Sequence, residues 1–127
     1  MQQAASAYAR VAQATQSPRE LEASVLLKAA SRLQAVRDDW NGRRGELDEA
    51  LTFNRKLWTI LVTSATDADN PLPLAIKNNI ANLAIFVFER TITVMVEPAP
   101  EKLGALVTIN REIAAGLRAQ PKAAGTA

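Results

Sequence analysis

Few residues in this chain can make or break bonds. It has no cysteine and no histidine. Thiolate nucleophiles, disulfides and cysteine metal sites are therefore ruled out. The usual neutral-pH acid–base group and commonest metal ligand are missing as well. Catalysis would have to rest on carboxylates, lysines or hydroxyls. Asp38-Asp39 is an adjacent pair, but neighbours on a helix point to different faces. Glu46, Asp48 and Glu49 read as first-turn charges that oppose a helix dipole. No glycine-rich loop follows a strand, so no phosphate cradle is indicated. The residue types point away from an enzyme, and no cofactor or metal is expected.

The chain instead sets amides into apolar lines. Asn54 falls on the stripe Leu47, Leu51, Asn54, Trp58, Leu61, Ala65, and Asn110 on Leu103, Leu106, Asn110, Ile113, Leu117. Both stripes step by three and four, the spacing of one helix face. Their surroundings are alike: Thr52-Phe53-Asn54-Arg55-Lys56-Leu57 reads like Thr108-Ile109-Asn110-Arg111-Glu112-Ile113. An inward asparagine on each of two helices could bond across a bundle or to a guest backbone. It could also fix core register, as buried amides do in coiled coils. Asn78, Asn79 and Asn82 form a third group. Any of these amides facing inward needs a partner, because burying one unpaired costs about 1–3 kcal/mol on mutational scales.

The elements that carry these residues read as helices. The chain has 127 residues, 48% hydrophobic and 22% charged, which suits one globular domain with one core. Its 15 basic and 13 acidic residues give a net charge of +2 and are interspersed. No basic stripe marks a nucleic-acid surface. Ser17-Pro18-Arg19-Glu20 is a helix start with a capping residue, a first-turn proline and a capping-box glutamate. The pattern predicts main helices near 18–41, 46–66, 72–96 and 100–118, with Gly42-Arg43-Arg44-Gly45 as a tight connector and Gly42 just past a helix end. A weaker N-terminal helix is expected over 2–14. The fold class is therefore all-α, a single bundle of four main helices over 1–119, with a disordered tail at 120–127.

The stretch from Leu72 to Val96 is apolar almost all the way round. Such a helix is either buried centrally or lies in a membrane. Asn78, Asn79 and Asn82 occupy its first half, and Glu89 and Arg90 cut its second. That favours the central helix of a soluble bundle and no membrane insertion. Met1 to Ser6 lacks a charged and then apolar leader, and the expected compartment is the cytoplasm.

Four segments carry a resemblance. Asn54-Arg55-Lys56-Leu57-Trp58, Asp69-Asn70-Pro71-Leu72-Pro73, Asn78-Asn79-Ile80-Ala81-Asn82-Leu83 and Ile109-Asn110-Arg111-Glu112-Ile113-Ala114-Ala115-Gly116-Leu117 together resemble the flagellar biosynthesis regulator FlaF family, in the same order along the chain. The resemblance implies a non-enzymatic, cytoplasmic factor of flagellum assembly that promotes flagellin synthesis and export. It also implies that the protein binds flagellin as a secretion chaperone, acting opposite an FlbT-like regulator. The alternative is a post-transcriptional regulator of flagellin mRNA that works with an FlbT-like RNA-binding partner. Arg43-Arg44 and Arg55-Lys56 are the paired basic residues. The first borders the acidic 46–49 stretch, and no aromatic residue is interleaved for base stacking, so direct nucleic-acid binding is not expected.

A chaperone of this kind needs an apolar groove with polar groups that fix the guest's register. The 72–96 helix is the best supplier of one wall, and the third or fifth helix of the other. The candidate register-setting groups are Asn79, Asn82, Asn54 and Asn110, with Phe86 as anchor. Trp58 should be buried against the 72–96 helix and becomes a partner contact if it faces outward.

Overall fold

A computed structural model describes residues 17–120. The expected N-terminal helix over 2–14 and nearly all of the expected C-terminal tail lie outside the described residues. Four long helices follow in order: α1 Pro18–Asp38, α2 Leu47–Ala65, α3 Leu74–Val96 and α4 Gly104–Ala119. Among the described residues there is no strand. The protein is an all-α bundle.

Each boundary has a local cause. At the start of α1, Ser17 is extended and its Oγ accepts from the Glu20 amide at 3.1 Å, which satisfies one of the amides that a helix leaves free there. At its end Asp39 leaves helical geometry and its carboxylate caps the next turn, accepting from the Gly42 amide at 3.2 Å. The expected connector is thus a run of helical turns, Trp40–Arg43 and then Arg44–Glu46, leading into α2. Gly42 does not take positive φ, as a glycine ending a helix would. A Cβ there would meet the Asp39 carboxylate at 2.6 Å, so the glycine makes room for the cap. Between α2 and α3, Asp67 and Asn70 each accept from an amide two residues on, at 3.0 and 2.9 Å, the local turns these side chains favour. Pro98 and Pro100 separate α3 from α4, and Pro100 opens a 3-10 turn, Pro100–Leu103.

The organising helix is α1, not the 72–96 stretch. Ala23, Leu26, Ala29, Ala30, Leu33 and Val36 are sealed from water, and the three alanines let a neighbour come close. That neighbour is α4, which makes the largest helix interface in the bundle; α2 also packs on α1. The run is antiparallel: Arg111 bonds Gln34 and Arg118 bonds Ser24. Helix α3 leans mainly on α2 and touches α4 only lightly. Its buried residues are Ile80, Ala84, Val87, Thr91 and Val94, one stripe on one side. The expectation of a centrally buried helix is therefore corrected. The sequence shows that α3 is apolar all round, but a peripheral helix in a four-helix bundle finds cover for one face.

Candidate functional site

The six residues singled out from the sequence divide into two groups. Trp58, Asn54 and Asn110 are each 0% exposed and meet where α1, α2 and α4 converge. The indole N–H of Trp58 donates to Asn110 Oδ1 at 2.8 Å. Asn110 Nδ2 donates to Asn54 Oδ1 at 2.7 Å and, at 3.4 Å, to the carbonyl of Leu26. The direction of this chain is forced. An indole nitrogen can only donate, so Asn110 must turn its oxygen to Trp58 and its amide to Asn54. Asn54 then offers its oxygen inward, and its Nδ2 finds no partner. The two alike hexapeptides thus place amides that bond across the bundle. No partner reaches this trio while the bundle is closed. Trp58 is buried as expected, and its indole N–H is bonded to α4.

Asn79, Asn82 and Phe86 are exposed on α3. They share a side of that helix with Arg90 and Thr93, by helical spacing. The Arg90 guanidinium sits 5.1 Å from the Phe86 ring, within cation–π range, and its Nη1 donates to the Lys102 carbonyl at 3.2 Å. Phe86 is 36% exposed, a partly covered aromatic rather than a free anchor.

The sequence reading missed the outermost face of α3. Leu74 is 71% exposed, Ile85 59%, Ile92 62% and Val96 80%. Their spacings of 11, 7 and 4 bring all four onto one line at 100° per residue. Met95, also exposed, and half-buried Phe88 flank it; Asn82 and Glu89 form the opposite edge, and exposed Asn78 falls within the line between Leu74 and Ile85. By length and composition α3 is long and apolar enough to cross a membrane, and only 28% of the relevant window is buried. The available signal was that α3 carries two apolar stripes, of which Ile80, Val87 and Val94 mark only the inner one.

The paired basic residues form no stripe. Arg43 lies 3.5 Å from Glu46 and 4.0 Å from Asp39, and Arg44 stacks on the Trp40 ring at 5.4 Å. Arg55 and Lys56 are exposed on α2.

No curated protein and no solved structure matches the chain. The family described as Flagellar protein FlaF matches residues 4–117, a span that takes in all of α1, α2 and α3 and nearly all of α4. The chain is a flagellar protein and belongs to the FlaF family.

Proposed function

We propose that this protein is a non-enzymatic, cytoplasmic secretion chaperone that binds flagellin and thereby promotes its synthesis and export. The observation that carries the reading is the outer stripe of α3, Leu74, Ile85, Ile92 and Val96, left bare in a bundle whose α1 and α4 expose no large apolar side chain. An exposed apolar line of this kind on a folded protein, continuous from Ile85 to Val96, marks an interaction surface. From Leu74 to Val96 the helix rises about 33 Å at 1.5 Å per residue, room for an amphipathic guest helix of about six turns. Such a guest lays its apolar face against an apolar surface and reads register through polar neighbours. Asn82 borders the stripe and serves that role. Asn79 and Phe86 lie one side further round and make secondary contacts.

A protein guest suits the stripe better than lipid. Glu89 is exposed midway along α3 and Asn78, Asn79 and Asn82 are exposed in its first half, and polar groups inside hydrocarbon are expensive.

The test is a titration of purified flagellin, and of its terminal segments, with the full chain at low and high salt. The expected result is binding that changes little with salt. Failure to bind flagellin would sink the chaperone reading. Binding to flagellin mRNA that weakens steeply with ionic strength would favour the regulator acting with an FlbT-like partner. Partition into lipid vesicles without flagellin would assign the stripe to a membrane instead.

A further inference from the structure

At the end of the bundle where α1 begins and α4 stops lies a cavity of about 490 Å³ that none of the α3 stripe residues lines. Pro18, Pro71, Leu72 and Leu117 supply an apolar wall and Glu22 a carboxylate. Burial pushes the Glu22 carboxyl above the usual range, and the Arg19 guanidinium offsets only part of that. The Arg118 guanidinium at the rim is engaged with Glu20 at 3.4 Å. A desolvated carboxylate beside an apolar wall suits a segment with a cation next to an apolar side chain.

The chain itself carries such a segment at the cavity's edge. Ser17 lines the cavity, so the residues before it start at the rim. Ser17 is extended and Pro18 opens α1, so the chain enters through a bend instead of prolonging the helix. Between residues 1 and 16 the one charged side chain is Arg10, with Tyr8 and Val11 as the largest apolar side chains around it. Arg10 is seven residues before Ser17, a reach of at most about 24 Å, ample for returning over a cavity of this size. The family match starts at residue 4, so this stretch belongs to the family's domain. The C-terminal residues 121–127 also leave from this rim, but they carry no aromatic or branched aliphatic side chain.

We propose that the end cavity is a binding site for the chain's own Tyr8–Val11 stretch, with Tyr8 and Val11 against the Leu72–Leu117 wall and Arg10 paired to Glu22. The inference is independent of flagellin binding, which it assigns to a different surface.

Hydrogen exchange on the full-length chain tests it. Backbone amides of 4–16 should exchange more than about tenfold slower than in the isolated peptide, the mark of a docked segment. Glu22→Lys should abolish that protection, and adding Arg10→Glu should restore it. Exchange at the peptide rate in the wild-type chain overturns the proposal. So does protection that survives Glu22→Lys, which would mean docking elsewhere, or protection found on 121–127 instead. Circular dichroism checks that each variant folds. If Glu22→Lys does not fold, Glu22→Gln replaces it, and full protection in that variant is the contradicting result.

Discussion

Asn110, a polar amide, is sealed from water, while Ile92, a branched aliphatic, is 62% exposed. Both sit on helices with regular apolar periodicity. The difference lies in how many neighbours each helix has. Where α1, α2 and α4 converge, every inward position meets another chain segment, and an amide can enter because Trp58 and Asn54 satisfy it. Helix α3 has α2 on one side and little else. Among the described residues its second apolar stripe has no neighbour, and it stays open. Burial here follows from the number of facing elements, and residue type follows only where a face is covered.

The largest effect expected from breaking the interior is Trp58→Ala. It removes a fully buried aromatic and its hydrogen bond, and should cost about 3–5 kcal/mol by chemical denaturation. That can exceed half of a small domain's stability. A loss below about 1 kcal/mol is typical of exposed sites and would place the indole outside the core.

Asn110→Ala comes next. It strips the acceptor from the Trp58 indole and the donor from Asn54 Oδ1, and a buried group left bare costs about 1–3 kcal/mol. Asn54→Leu should cost less than half as much, because Asn54 is the end of the chain and already carries an unpaired Nδ2. Equal losses at the two positions would contradict the direction of hydrogen bonding described above. Urea titrations of the two variants side by side would show it.

On the outer face the stability effect should nearly vanish. Ile92→Ser should shift unfolding by no more than about 0.5 kcal/mol, as for surface sites away from special features. A larger destabilisation would show that the α3 stripe is covered within the protein.

Much of this was legible in the chain. Ser17, Pro18 and Glu20 announced the start of α1, and the prolines at 98 and 100 announced the end of α3. The asparagines on two apolar stripes announced a polar contact across the core. Periodicity names the apolar faces of a helix but not how many of them find a neighbour, and so α3 read as central when it is peripheral. It also could not choose between Phe86 and Ile85 as an outward contact. Both are apolar and adjacent; helical spacing already sets Arg90 beside Phe86, four residues on, but only the fold leaves the Ile85 face without cover. Asp39 was equally hidden: it ends one helix and caps the next turn, a role decided by backbone geometry.

The most direct test of the comparison is the affinity of the full chain for purified flagellin, measured for the wild type and for the double variant Ile85→Ser with Ile92→Ser. Denaturation of both proteins is followed alongside. Affinity should fall at least about tenfold, equivalent to about 1.4 kcal/mol, with the unfolding midpoint nearly unchanged. Unaltered affinity in a folded double variant would contradict this, because flagellin would then be held by some surface other than the open stripe of α3.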